Sequence, residues 1–126
     1  METKIYTEKK RYTKFDDNHY LLYLNETVIP NYVQEVREGE KELEPCTAYQ
    51  YEGTEPDGGT MIEAKNDTYN DFVSGLIRKK YSADEVEAIT LNKLSSNQER
   101  KEEFDAEFSL LEEYRNLCKE HVKKII

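Results

Sequence analysis

The sequence predicts an α+β fold in which a small, mostly antiparallel β-sheet is followed by a three-helix C-terminal unit with a long last helix. Residues before Asn66 include seven of the ten tyrosines, all three prolines and four of the five glycines. Beyond Asn66 come charged stretches whose apolar residues recur at helical spacing. We therefore expect a β-rich part over residues 1–66 and a helical part over residues 67–126, as two domains or as one compact domain.

Two strand candidates precede residue 30. Lys4–Thr7 is short and rich in β-prone side chains. His19–Ile29 is the stronger candidate because apolar residues fall on both of its faces, which is typical of a strand covered on both sides. The triplet Asp16-Asp17-Asn18 predicts a turn before this strand, and Pro30-Asn31 predicts its end.

A β-hairpin is predicted later in the same part. Thr47–Glu52 places Tyr49 and Tyr51 on one face, and Thr60–Ala64 forms the second strand. The turn between them contains a Pro-Asp-Gly-Gly sequence, in which proline fixes φ and glycine permits positive φ. The two tyrosines are either half-buried sheet residues or a stacking face for sugars or bases.

Residues 34–45 form an acidic segment in which five of the twelve residues are glutamate. Such a composition predicts a solvated loop without a packed core. The alternative interpretation is an acidic patch for a basic partner.

Two amphipathic helices are expected after residue 67. The first has a cap at Asp67 or Thr68 and an apolar face of Tyr69, Phe72, Val73, Leu76, Ile77 and Tyr81. Ser82 and Glu85 form a capping box that begins the second helix. We expect the second helix to bury Val86, Ile89 and Leu94.

The last helix is expected from about Gln98 to Lys124. A heptad seam runs along it through Phe104, Phe108, Leu111, Arg115, Cys118, Val122 and Ile125. The seam packs inside a three-helix core or binds a partner or a second copy. The candidate partner-binding residues are therefore Phe104, Phe108, Leu111, Arg115 and Val122, together with Tyr49 and Tyr51 of the sheet.

Charge and hydropathy exclude several classes of protein. The chain carries 27 acidic and 18 basic residues, for a net charge of −9, and its pI of about 4.8 disfavours a nucleic-acid surface. No apolar run is long enough for a membrane span, and METKIYTEKK has no apolar signal-peptide segment. We expect a cytoplasmic protein with its two cysteines, Cys46 and Cys118, reduced.

Residues that carry chemistry are few. Cysteine and histidine could pair as nucleophile and base, but nothing around Cys46, Cys118, His19 or His121 resembles a catalytic turn. Cys118 and His121 lie one helical turn apart and would supply half of a zinc site, yet the spacing of the four residues is not that of a zinc finger. We therefore expect no enzyme activity, no metal and no cofactor.

Part of the chain resembles small phage and prophage accessory proteins of the tail or tail-fibre assembly region. The resemblance covers residues 47–124. It rests on FVSGLIRKKYSADEVEAI at 72–89, on YEG at 51–53 followed by DGGTMI at 57–62, and on Tyr114-Arg115 with Cys118-Lys119 one turn later. It implies a non-enzymatic role in particle structure or assembly and assigns no catalytic residue.

Three functions are consistent with these observations. The first is a phage- or prophage-type structural or assembly protein, cytoplasmic or incorporated in a particle, that binds a protein or itself through the last helix. The second is an acidic decoy that imitates nucleic-acid charge and binds a basic host protein. The third is a carbohydrate-binding module that uses the sheet tyrosines.

Overall fold

Six strands are followed by three helices in a computed structural model that describes all residues 1–126. The strands are β1 (Glu2–Tyr6), β2 (Tyr12–Asp16), β3 (His19–Leu22), β4 (Thr27–Tyr32), β5 (Cys46–Gly53) and β6 (Thr60–Glu63). The helices are α1 (Tyr69–Arg78), α2 (Ala83–Lys93) and α3 (Lys101–Ile125). The α+β class and the long last helix are thus confirmed.

The strands form two three-stranded antiparallel sheets instead of the single sheet that the sequence predicts. In the first sheet β5 is central, with β1 and β4 on either side. The second sheet has the order β2-β3-β6. Strand β2, which the sequence analysis missed, pairs with β3 in an antiparallel hairpin.

The predicted strand His19–Ile29 is wrong, because it is two strands that belong to different sheets. Strand β3 ends at Leu22, and β4 begins at Thr27. Between them Asn25 has φ of 54°, a left-handed conformation that stops a strand and that asparagine tolerates better than most residues. The Asn25 side chain also donates to the carbonyl of Glu52, which fixes this corner against β5.

The predicted stop at Pro30-Asn31 is also wrong, since both residues lie inside β4. The pairing of β4 with β5 is irregular between Ile29 and Tyr32, and Asn31 has φ of 56°. Because β4 is an edge strand, the missing N–H of Pro30 leaves no central ladder interrupted. Pro30 therefore marks an irregularity in the edge and not its end.

The turn of the predicted hairpin forms, but its two strands do not pair. Strand β5 belongs to the first sheet and β6 to the second. The turn is closed by hydrogen bonds from the amide of Glu55 to the carbonyl of Gly59 and from the amide of Gly58 to the carbonyl of Glu55. The acidic segment 34–45 contains no strand or helix, as expected for a loop.

The helix caps were predicted correctly, whereas the burial of helix α2 was not. Thr68 caps α1, and Ser82 with Glu85 forms the capping box of α2. The expectation that α2 buries Val86, Ile89 and Leu94 is wrong, because α2 has no buried residue and Leu94 is 77% exposed. Helix α3 begins at Lys101, after a turn in which Ser95 and Asn97 side chains accept backbone amides.

The chain divides into two compact units within β6. One consists of Met1–Met61 with Ile125, and the other of Ile62–Lys124 with Ile126. The first unit contains a core of Leu21, Tyr23 and Tyr51. In the second, an ideal Cβ at Gly75 of α1 would lie 2.8 Å from the Glu63 carbonyl oxygen and 2.9 Å from Ile62 Cδ1. Ile62 and Glu63 thus lie close to α1 inside the second unit.

Candidate functional site

A small apolar hollow in the first unit begins at a β-bulge. In the β2–β3 hairpin Lys14 pairs with Tyr20 and Asp16 pairs with His19, so Phe15 is the extra residue. A bulge turns a side chain away from the regular alternation of a strand, and Phe15 is 59% exposed. Its ring borders a hollow of about 270 Å³, whose lining residues are Phe15, Leu21, Glu55, Pro56, Asp57 and Met61.

The turn between β5 and β6 supplies Glu55, Pro56 and Asp57 to the lining of the hollow. Asp57 Oδ1 accepts the amide of Gly59 at 2.9 Å, which fixes the turn internally. Gly58 has φ of 82°, and a Cβ there would lie 2.9 Å from the Tyr51 carbonyl oxygen. A side chain at this position would therefore be strained both by conformation and by close approach to the backbone.

A tyrosine cluster formed by Tyr6, Tyr23 and Tyr51 holds the turn in place. Tyr23 Oη donates to Asp57 Oδ2 at 2.9 Å, and Tyr6 Oη donates to the Asp57 carbonyl oxygen at 2.6 Å. The three rings meet at centroid distances of 5.7–6.2 Å in tilted and edge-to-face geometries. One face of the hollow is thus attached to the core of the unit.

The hydroxyl of Tyr51 lies between two partners inside the first unit. It donates to Glu26 Oε2 at 2.7 Å and accepts the amide of Lys10 at 2.8 Å. The ammonium of Lys10 lies 4.7 Å from the centroid of the Tyr6 ring, within cation–π distance. The cluster therefore joins β1, β5 and the segment between β1 and β2.

Burial and nearby carboxylates both favour the neutral phenols of this cluster. Burial raises the pKa of Tyr23 to about 12, with a further contribution from Asp57. Burial also raises the pKa of Tyr51 to about 12, with a further contribution from Glu26. The same causes, burial first and then Asp57, raise the pKa of Tyr6. These phenols act as hydrogen-bond donors and stay protonated near neutral pH.

The size and lining of the hollow suit a single apolar side chain next to a positive charge. Four of its six lining residues are apolar, and the other two are the carboxylates Glu55 and Asp57. A volume of about 270 Å³ lies just below the roughly 300–1,000 Å³ that is usual for small-molecule sites. The lining contains no serine, cysteine, histidine or lysine, and both oxygens of the Asp57 carboxylate already accept hydrogen bonds, from Gly59 and from Tyr23.

The two sheet tyrosines named from the sequence lie at the tyrosine cluster. Tyr51 is fully buried, with 0% of its surface exposed, and Tyr49 is half-buried beside it. A ring must be accessible to stack on a sugar, so Tyr51 cannot serve as a stacking platform. Of the two rings named for a carbohydrate site, only that of Tyr49 is partly accessible.

The seam residues of α3 are largely covered by the chain itself. Phe104, Leu111, Cys118, Val122 and Ile125 are buried, whereas Phe108 and Arg115 are half-buried. Arg115 forms an ion pair with Glu112, one turn earlier on α3. Burial removes Phe104, Leu111 and Val122 as contact residues for a partner, so the seam acts within the chain.

The remaining candidates for chemistry are dispersed. His19 Nδ1 lies 2.8 Å from Asp16 Oδ1 on the β2–β3 hairpin, whereas Cys118 is buried on α3. Burial lowers the pKa of His121 and raises that of the Cys118 thiol. No group of three or more His, Cys, Asp or Glu side chains is arranged to hold a metal ion.

Sequence reasoning missed the hollow because its walls come from separate parts of the chain. The local signal was an isolated aromatic residue, Phe15, directly before the Asp16-Asp17-Asn18 turn. An apolar ring at the tip of a polar hairpin is a candidate contact residue. The other walls depend on the turn that precedes β6, whose placement beside β3 the sequence does not specify.

Comparison of the chain with known protein families, with curated proteins and with solved structures gives no match. None of the three helices combines the length and the apolar character that crossing a bilayer requires.

Proposed function

We propose that this chain is a non-enzymatic protein that acts through protein–protein contacts, of the structural or assembly type found in phages and prophages. The observation that supports this proposal best is the apolar hollow with Phe15 exposed at its edge. An exposed aromatic ring beside an apolar depression has the composition of a binding hot spot. The resemblance of residues 47–124 supports the phage type, and a cytoplasmic or particle-bound location accompanies it.

Charge favours a partner segment that is apolar and basic. The first unit contains seven basic and thirteen acidic residues, a formal charge of −6 over residues 1–61. From Cys46 to Met61 there are three acidic residues, Glu52, Glu55 and Asp57, and no basic one. A lysine or arginine next to the docked side chain would lie close to Glu55 and Asp57 and gain from their charge.

A photo-crosslinking experiment tests this proposal. Phe15 is replaced by p-benzoylphenylalanine, which keeps an aromatic ring in place, and the crosslinked protein is identified by mass spectrometry. The purified partner is then bound to the wild type and to Phe15→Ser. Loss of a central aromatic contact is expected to weaken binding at least tenfold, or about 1.4 kcal/mol.

Val33→Ser is the matched control. Val33 is 57% exposed in the same unit but does not line the hollow. Its replacement should leave the dissociation constant within about twofold. Equal affinity of wild type and Phe15→Ser for the crosslinked protein would contradict the proposal.

The decoy function remains a second candidate because of the acidic segment. Residues 37–45 are all exposed, and glutamate occupies positions 38, 40, 42 and 44. A charge-imitating surface predicts that replacing these four glutamates by glutamine weakens binding more than Phe15→Ser does. It also predicts a steep loss of affinity as salt concentration rises.

A further inference from the structure

Helix α3 has a second line of residues, separate from the buried seam, with two leucines at its centre and a charged residue at each end. Glu103, Leu110, Leu117 and Lys124 follow one another at intervals of seven residues, so they drift by only about 20° per interval around the helix. All four are exposed, and Leu110 and Leu117 expose 61% and 47% of their surface. We call this line the outer stripe; it includes the neighbouring Ala106, which is also exposed.

At 3.6 residues per turn, consecutive residues lie about 100° apart around the helix. Leu110 of the outer stripe therefore lies about 100° from Leu111 of the seam. Tyr114 lies between stripe and seam and donates to the Leu76 carbonyl of α1 at 3.0 Å. That hydrogen bond shows that α1 contacts α3 on the side of Tyr114 and the seam. Leu110 and Leu117 therefore project to solvent, whereas Leu111 and Cys118, which follow them in the sequence, are buried.

Charge is distributed unevenly along α3. Residues 101–113 contain six acidic residues and one basic residue, whereas residues 114–126 contain four basic residues and one acidic residue. Two such helices side by side in parallel would place like charges together. In antiparallel orientation the acidic half of each faces the basic half of the other.

The outer stripe is also self-complementary in register. If two copies pair antiparallel about a point between Glu113 and Tyr114, Leu110 faces Leu117 of the second copy. In the same register Glu103 faces Lys124, and the small Ala106 faces the larger His121. Each layer occurs twice, as two-fold symmetry requires.

We propose that two copies of this chain associate through the outer stripe of α3, antiparallel and in the register Glu103–Lys124, Ala106–His121, Leu110–Leu117. The stripe from residue 103 to 124 is about 32 Å long at 1.5 Å per residue. Its apolar contact consists of two leucines from each copy, so the dimer is weak and depends on concentration. This surface is independent of the hollow in the first unit.

The ends of the stripe determine orientation more than affinity. In the single chain the Glu103 carboxylate already accepts two bonds from Arg100, at 2.9 and 3.1 Å. Lys124 of the second copy would share an exposed carboxylate with that guanidinium. Exposed pairs of this kind contribute about 0–1 kcal/mol, so the leucines supply most of the association.

Analytical ultracentrifugation over about 5–500 μM measures the association. The wild type should pass from monomer to dimer in this range, and Leu110→Glu should raise the dissociation constant at least tenfold. Leu91→Glu is the matched control, since Leu91 is an exposed leucine on α2 outside the stripe. Circular dichroism checks that both variants keep their helices. A wild type that stays monomeric at 500 μM, or a dimer insensitive to Leu110→Glu, overturns the proposal.

Charge reversal tests the register. Glu103→Lys and Lys124→Glu should each weaken the dimer severalfold, and the double variant should recover most of the affinity because each reversed residue then faces its opposite charge. If the double variant dimerises no more tightly than either single variant, the proposed pairing of Glu103 with Lys124 is wrong.

A spin label tests the orientation. Glu102→Cys is labelled in a Cys46→Ser background, because Glu102 is exposed and off the stripe. Antiparallel pairing places the two copies of residue 102 about 35 Å apart along the axis, whereas parallel pairing places them roughly 10 Å apart. A pulsed electron paramagnetic resonance distance near the shorter value overturns the antiparallel arrangement.

Discussion

Asp57 links the acidic edge of the hollow to the tyrosine cluster. One carboxylate oxygen fixes the turn through Gly59, and the other accepts the hydroxyl of Tyr23. A substitution at Asp57 would therefore alter both the wall of the hollow and the core behind it. Phe15 and Glu55 are better choices for testing binding because they line the hollow without these bonds to the cluster.

Alkaline titration should reveal the buried phenols. The pKa of Tyr23, Tyr51 and Tyr114 is raised to about 12 in the folded chain from an ordinary value of 10.0, chiefly by burial. The folded state thus favours the neutral phenols. Their contribution to stability is complete below about pH 10 and is lost as pH rises through 12.

Phenolate absorbance at 295 nm measures this directly. A titrating component with a midpoint near pH 12 is expected, and Tyr51→Phe should reduce its amplitude. Titration of all ten tyrosines in one transition near pH 10, while circular dichroism still reports a folded chain, would contradict the assignment.

The two thiols should differ in reactivity. Cys118 is 2% exposed, and burial raises the pKa of its thiol, whereas Cys46 lies half-buried at the start of β5. Because the thiolate is the reactive form, Cys118 should react with a thiol reagent only when the chain unfolds. Ellman's reagent should count one fast thiol in the native protein and none in Cys46→Ser. Rapid modification of Cys118 in that variant would show that the helix seam is open.

At the level of elements, Gly75 of α1 is required by packing and not by conformation. Alanine in a helix normally stabilises by about 1 kcal/mol over glycine. Here the new methyl would meet the Glu63 carbonyl at 2.8 Å, a backbone atom that cannot rotate away. Gly75→Ala should therefore lower the free energy of unfolding by about 1–3 kcal/mol.

Urea unfolding measures the effect of Gly75→Ala. Ser74→Ala is the matched control because Ser74 is exposed on the same helix, and it should change stability by less than about 0.5 kcal/mol. A Gly75→Ala variant as stable as the wild type would show that α1 and β6 can separate at this point without cost.

Helix α2 should depend on its capping box to an unusual degree. It buries no residue, and its side-chain contacts include Lys93 Nζ to Asp105 Oδ1 at 2.7 Å. Ser82→Ala removes the cap on the amide of Glu85, a loss of about 1 kcal/mol.

Hydrogen exchange followed by NMR should locate that loss. Amides of α2 should exchange about fivefold faster in Ser82→Ala, while those of α3 are unchanged. Ser96→Ala, an exposed serine outside the capping box, is the control. Equal acceleration in α2 and α3 would mean that the two helices open together.

The sequence predicted local features well and non-local ones poorly. Thr68, Ser82 and the seam of α3 were recognisable because caps and heptads depend on residues within one or two turns. The split of His19–Ile29 was hidden because it depends on Asn25, whose left-handed conformation is fixed by a contact with Glu52. The hollow was hidden for the same reason, since Phe15 and Pro56 meet only after the second sheet has formed.

For the molecule as a whole, the net charge of −9 should make stability increase with salt. Like charges repel in the folded chain more than in the expanded one, and salt screens that repulsion. The ion pairs are exposed to a large degree, so their screening costs little in return. Raising NaCl from about 0.05 to 0.5 M should therefore raise the midpoint of urea unfolding.

A variant of the acidic segment tests the origin of this salt effect. Replacing Glu38, Glu40 and Glu42 by glutamine removes three negative charges from the chain, and none of the three residues lies in a strand or helix. The salt dependence should become smaller, and the midpoint at low salt should rise. A midpoint that falls with salt would mean that the surface ion pairs outweigh the general repulsion.

The central position of β5 also constrains how the chain folds as it leaves the ribosome. Glu2 pairs with Gly53, and Thr27 pairs with Gln50, so neither β1 nor β4 has its partner until β5 has been synthesised. Until then both strands expose unpaired backbone. The charged segment 34–45 is synthesised before β5, and we expect the repulsion between its glutamates to oppose edge-to-edge association of the unpaired strands of different chains.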